Sequence, residues 1–192
     1  HPVDRRQRQM CIRDSTRLFR RLGDEALPFY YQLKDDSDSD ILAAVSTTSA
    51  DLRFLDVDMW AENLVELSNH ELPVVRRNLV PSLREYFETF PDDTRKLLPV
   101  MWQDGDEVVR TRMRELLIKM SDISSTQFGA RITDLNQHGC DLSALWRLMD
   151  ARRKGSSEAW KSWLSGEGEM PETIETMPVS YTHLTLPTIN WV

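Results

Sequence analysis

The chain has 192 residues and a formal net charge of −7, because 31 acidic residues outnumber 24 lysines and arginines. A net acidic surface disfavours nucleic acid as a partner, since affinity for phosphate backbones rests mainly on lysine and arginine. No apolar run approaches the roughly 18 residues needed to cross a bilayer, so we expect no membrane association. The length suits one domain or a few structural repeats.

The two ends of the chain resemble a translated sequencing adapter rather than natural protein. Residues 5–14 (RRQRQMCIRD) resemble the translation of a transposase adapter used to prepare shotgun libraries, and residues 179–188 (VSYTHLTLPT) resemble the opposite strand of that adapter. Such segments are excluded before fold reasoning. We therefore assign residues 1–15 and 178–192 as adapter-derived and non-native. The remaining residues are expected to be an internal fragment of a larger protein.

The charge and cysteine content change when the end segments are set aside. Residues 1–15 contain four arginines and two aspartates, so residues 16–177 carry a net charge of −9. Cys140 is the single cysteine left. A lone cysteine excludes an internal disulfide and a cysteine metal cluster, and it favours a reducing compartment. We therefore expect an intracellular protein.

Four stripes of apolar residues recur at helical spacing along the chain. They open at Asp58, Pro73, Asp106 and Asp141, residue types that are common at helix starts. A short fifth helix is expected around Trp160. Strand signals are nearly absent, so the fold class predicted is all-α. The stripes consist of Trp60, Leu64 and Leu67; of Val75, Leu79, Leu83, Tyr86 and Phe87; of Val109, Met113, Leu116, Leu117 and Met120; and of Leu142, Leu145, Trp146 and Met149.

Composition divides the non-adapter part of the chain into two regions. Residues 16–164 form the predicted helical-repeat domain, in which short connections favour antiparallel packing of neighbouring helices. After Ser165 the chain becomes rich in glycine, glutamate and proline. We therefore interpret residues 165–177 as an acidic linker.

Internal similarity points to a repeated unit. Residues 27–32 (LPFYYQ) align with residues 98–103 (LPVMWQ) at an offset of 71, and residues 74–76 (VVR) align with residues 108–110 at an offset of 34. One helix pair per about 35 residues accounts for both offsets. In this register Val75 and Val109 are equivalent, as are Leu79 and Met113, and all four side chains are expected to be buried.

Residues 97–110 (LLPVMWQDGDEVVR) resemble the HEAT-repeat pattern. That pattern has an apolar first helix carrying a proline, an acidic turn, and a second helix that opens with valine and arginine. The resemblance covers about residues 24–120. It implies stacked antiparallel helix pairs in a HEAT-like α-α superhelix of about three to four repeats. It also implies that Arg76 and Arg110, one repeat apart, have a structural role and form a ladder with acids in the turns, such as Asp104 and Asp106.

Possible chemical sites are better explained by structure than by catalysis. Residues 36–40 (DSDSD) resemble the start of a calcium loop, but Ile41 stands where the sharp turn needs glycine and Thr47 stands where a bidentate glutamate is needed. His138 and Cys140 lack the orienting group and the oxyanion site that a nucleophile and its base require. We expect no catalytic, cofactor-binding or metal-ligating residues.

These observations favour a non-catalytic protein–protein interaction scaffold without a small-molecule substrate. The partner would be another protein or another domain of the same chain. Arg112 and Arg114 replace the small residues usual in the second helix, and they are the candidate residues for binding an acidic peptide or a phosphate. One alternative is a helical regulatory region of a larger NTPase-type enzyme. Another is a HEAT-like DNA glycosylase, which would need a local basic patch around Arg110, Arg112, Arg114 and Arg131.

Overall fold

The computed structural model describes residues 21–172. Both segments assigned to adapter, residues 1–15 and 178–192, lie outside the described residues. The first residues of the predicted domain and the last residues of the predicted linker also lie outside them.

Residues 21–172 form nine α-helices and two short 3-10 helices, and none of these residues is in a β-strand. The all-α class predicted from the sequence is confirmed. In this part of the chain no helix has the length and apolar character needed to span a membrane. The 3-10 helices are η1 (Gly23–Ala26) and η2 (Ser49–Phe54), and the α-helices are α1 (Leu27–Lys34), α2 (Ser39–Thr48), α3 (Val57–Ser68), α4 (Pro73–Thr89), α5 (Pro91–Trp102), α6 (Glu107–Ser121), α7 (Ser125–Gln137), α8 (Ser143–Arg152) and α9 (Ser156–Leu164).

Short polar side chains fix several helix starts. The Asp106 side chain caps α6 as the sequence indicates, and it accepts hydrogen bonds from two backbone amides of the first turn. For α3 the N-cap is Asp56 rather than the expected Asp58, because Asp56 adopts the extended backbone of a cap and accepts from the Met59 amide at 2.9 Å. The α8 helix begins at Ser143 after Leu142, although the sequence indicated a cap at Asp141. The Asp141 carboxylate instead accepts hydrogen bonds from the backbone amide and from the hydroxyl of Ser143.

The helix starts recur at a fixed spacing of 34 residues. Two series of three helices have this spacing between successive starts. The α8 start falls two residues later than the interval predicts. The two series start at Val57, Pro91 and Ser125 for α3, α5 and α7, and at Ser39, Pro73 and Glu107 for α2, α4 and α6.

Packing follows the same two series. The even-numbered helices contact one another in the order α2, α4, α6 and α8, and the odd-numbered helices contact one another in the order α3, α5, α7 and α9. Cross-contacts join α1 to α2, α3 to α4, α5 to α6 and α8 to α9, and α7 also packs on α6. Adjacent helices therefore share one core, and each helix contacts helices that lie one or two places away along the chain.

The core contains the residues that the predicted register makes equivalent. Val75, Leu79, Val109 and Met113 are each 0% exposed, so the expectation of burial is confirmed. The tryptophans divide between full and partial burial. Trp60, Trp102 and Trp160 belong to the buried core, whereas Trp146 and Trp163 pack against it from partly exposed positions.

Truncation of an equivalent core position should be costly. Leu79→Ala or Met113→Ala should each lower the free energy of unfolding by about 2–5 kcal/mol, because a cavity remains where the side chain was. Urea unfolding followed by circular dichroism measures this loss. Val108→Ala is the matched control, since Val108 is exposed on the same helix as Met113, and its effect should stay within about 0.5 kcal/mol. Losses below about 1 kcal/mol for both core variants would contradict the burial described above.

Candidate functional site

One hydrogen bond recurs in two successive helix pairs, of which the first consists of α3 and α4 and the second of α5 and α6. Arg76 near the start of α4 donates from Nη1 to the carbonyl oxygen of His70 at 2.5 Å, and Arg110 near the start of α6 donates from Nη1 to the carbonyl oxygen of Asp104. Donor and acceptor are six residues apart in both cases, and the two arginines are 34 residues apart. Each arginine therefore ties the start of a second helix to the turn that precedes it.

Arg76 also bridges two successive helix pairs. Its Nε and Nη2 atoms donate to the Asp104 carboxylate at 2.7 and 2.9 Å, and the two side chains are only 15% and 5% exposed. Arg77 forms a second two-point contact with Asp106, in which Nε donates at 2.8 Å. Two parallel hydrogen bonds between a planar guanidinium and a carboxylate set the relative orientation of the two side chains and bring opposite charges together. The contact expected between Arg76 and Asp104 is present, whereas Arg110 pairs with Glu107 of its own helix, so only one step of the expected ladder forms.

The two aspartates are held as anions. Burial raises the pKa of Asp104, but hydrogen bonds from Arg76 and from the Asp106 amide outweigh this effect and leave it below its usual value. The Arg77 guanidinium holds the pKa of Asp106 well below its usual range, with help from the Val109 amide. A carboxylate with a lowered pKa in the folded state stabilises the fold above its unfolded pKa. That stabilisation is lost as acid protonates the group.

Arg112 satisfies a backbone carbonyl of the previous helix pair. Its Nη1 atom donates to the carbonyl oxygen of Arg77 at 2.7 Å. Pro81, four residues after Arg77, has no N–H, and its ring displaces that carbonyl from the helical ladder. One pair earlier, Asn78 donates to the carbonyl oxygen of Ala43 at 3.0 Å. Asn78 and Arg112 are 34 residues apart, as are Ala43 and Arg77, so this contact also recurs.

Arg114 has a different environment from Arg112. Its Nη1 atom lies 3.2 Å from Oε1 of Glu107, and its side chain is mostly covered. Glu107 also pairs with Arg110, and hydrogen bonds from Arg110 and Arg114 lower the pKa of Glu107. Arg112, in contrast, is exposed on α6. The structure therefore places both candidate residues on α6 with internal contacts. Their role in binding a partner stays a prediction.

The other residues singled out from the sequence are held apart. Cys140 is buried and accepts a hydrogen bond from Gln103, and burial raises the pKa of its thiol. His138 is exposed, and its Nδ1 lies 2.7 Å from the carbonyl oxygen of Asp134. Arg131 is buried against Asp134 and does not join a surface patch with Arg112. Within residues 21–172 no cluster of three potential metal ligands occurs.

Two features of the site were not anticipated from the sequence. The contact of Arg77 with Asp106 depends on the position of the Arg77 guanidinium of α4 relative to the turn between α5 and α6. The role of Arg112 depends on Pro81, whose position four residues after Arg77 is visible in the sequence. A proline inside a predicted helix marks an unpaired carbonyl one turn earlier. That signal could have identified the carbonyl of Arg77 as an unpaired acceptor, but not Arg112 as its donor.

The backbone contact of Arg112 can be measured by a double-mutant cycle. Arg112→Met should lower the free energy of unfolding by about 0.5–1.5 kcal/mol, because the carbonyl of Arg77 loses its donor. In a Pro81→Ala background the loss should shrink, since the substituted alanine supplies the missing N–H. Lys119→Met, an exposed change on the same helix, is the control. Equal losses for Arg112→Met in both backgrounds would refute the contact.

Comparison with family models, with curated proteins and with solved structures finds no match to this chain. The HEAT-like resemblance therefore rests on this chain's own residues. The recurrence of helix starts, of turn hydrogen bonds and of contacts between successive helix pairs is the structural observation that bears on it.

Proposed function

We propose that the helical region is a HEAT-like α-solenoid that serves as a non-catalytic scaffold for protein–protein interaction. The observation that carries the proposal is recurrence. Arg76 and Arg110 make the same turn hydrogen bond, and Asn78 and Arg112 make the same contact with the preceding pair, at one interval of 34 residues. Units that repeat in this way and contact mainly their neighbours build an extended surface rather than a closed globule.

The proposed partner surface lies on the even-numbered helices around Arg112. A guanidinium has five N–H donors, and the contact with the carbonyl of Arg77 uses Nη1 alone. The remaining donors of this exposed side chain are available for an acidic side chain or a phosphate on a partner. Arg114 lies about half a helical turn further along, and Glu107 balances its charge. Arg112 is therefore expected to contribute more to binding than Arg114.

Two labelled probes test this function by fluorescence anisotropy over a salt series: a polyglutamate peptide and a duplex DNA. The peptide should bind, and Arg112→Glu/Arg114→Glu should abolish its binding. DNA contact should be weak and sensitive to salt, since backbone affinity comes from lysine and arginine. Arg112→Gln is the matched variant, because it removes the charge without reversing it, and it should weaken peptide binding less than the double mutant does.

Two results would overturn the proposal. Submicromolar affinity for DNA near physiological salt, lost in the double mutant, would favour the glycosylase-like alternative. Peptide binding that is the same in the unsubstituted chain and in both Arg112 variants would remove Arg112 from the partner surface. Thermal unfolding of every variant establishes that the comparison is made between folded proteins.

A further inference from the structure

A groove of about 540 Å³ lies between α3 and α5, on the opposite helix series from Arg112. Each helix contributes one stripe of side chains at positions i, i+3, i+4 and i+7. This spacing places the four members of a stripe on one face of their helix. The stripes consist of Glu62, Val65, Glu66 and Asn69 from α3 and its C-terminal end, and of Asp93, Lys96, Leu97 and Val100 from α5.

The middle of the groove is apolar and open. Val65 is 41% exposed and Val100 is 52% exposed, although both side chains are apolar. Leu97, which also lines the groove, is buried. Covering this surface would remove apolar area from water at a gain of about 25 cal/mol per Å². Two neighbouring exposed valines form only a small apolar surface, so the charges at the edges of the groove decide what it would bind.

The edges of the groove carry one net negative charge, which lies at Glu62. Glu62 and Glu66 lie one helical turn apart on α3, an arrangement in which like charges repel. Lys34 of α1 reaches Glu66 at 2.5 Å, whereas Glu62 forms no ion pair with any described residue. On α5, Asp93 lies 3.6 Å from Lys96. Lys34 and Lys96 therefore offset two of the three carboxylates, and Glu62 keeps one uncompensated negative charge beside the groove, which would attract a cation.

We propose that this groove binds a basic amphipathic helix of a partner protein. The proposal rests on the scaffold function and assigns it a second surface. Apolar residues of the partner helix at i, i+3, i+4 and i+7 would contact Val65, Leu97 and Val100, and its lysines or arginines would reach Glu62. Helix-in-groove recognition uses this spacing of anchors. The Arg112 surface and the groove therefore accept partners of opposite charge.

The probe is a synthetic helical peptide with four leucines at i, i+3, i+4 and i+7 and lysines beside them; a matched peptide carries glutamates in place of the lysines. The lysine peptide should bind and should shift the NMR methyl signals of Val65 and Val100. Glu62→Lys should weaken binding at least about fivefold and Lys96→Glu should strengthen it, because the two changes alter the edge charge in opposite directions. Unfolding of a variant cannot produce an increase in affinity.

Glu115→Lys is the matched control, since it makes the same charge change at an exposed site on α6, and it should leave the affinity unchanged. Equal binding of the two peptides would overturn the proposal, as would methyl shifts elsewhere without shifts at Val65 and Val100. The absence of binding would overturn it as well. Failure of the polyglutamate peptide at Arg112 removes only that surface, so the two proposals fail separately.

Discussion

Burial of one continuous apolar layer between successive helices is the constraint on which the rest of the structure depends. A single pair such as α3 and α4 does not cover its own apolar surface, because α4 also packs against α2 and α6. The fully buried positions Leu79 and Met113 are one unit apart in this layer. Stability is therefore shared between neighbours, and each helix pair completes the core of the next.

The arginine contacts decide how successive pairs are aligned within that layer. Apolar packing is non-directional, so it tolerates small shifts between helices. The two-point contact of Arg76 with Asp104 tolerates far less, and Asp104 also accepts a hydrogen bond from the amide of Asp106, the residue that caps α6. One side chain of α4 thereby fixes the turn before α6. The scaffold function proposed above requires such alignment, because a surface built on several helices combines residues from each of them.

The sequence predicted the helices and their register better than it predicted the surfaces. Apolar spacing and the offset of 34 identified the equivalent core positions, because both patterns are local and repeat along the chain. The cap of α3 was misplaced by two residues, since Asp56 and Asp58 are equally suitable by type. The contact of Arg112 with the carbonyl of Arg77 and the groove between α3 and α5 were missed. Both depend on distances between helices that no local pattern encodes.

Arg76 and Asp104 join one helix pair to the next, and this contact sets how the two pairs are aligned. A double-mutant cycle with Arg76→Gln and Asp104→Asn, measured by urea unfolding, tests it most directly. We expect a coupling energy of about 1–3 kcal/mol, because the contact consists of two hydrogen bonds between charged groups that are mostly buried. The exposed pair of Arg84 and Glu88 on α4 serves as the reference, at about 0.3–0.5 kcal/mol. A coupling energy for Arg76 and Asp104 no larger than this reference would contradict the claim.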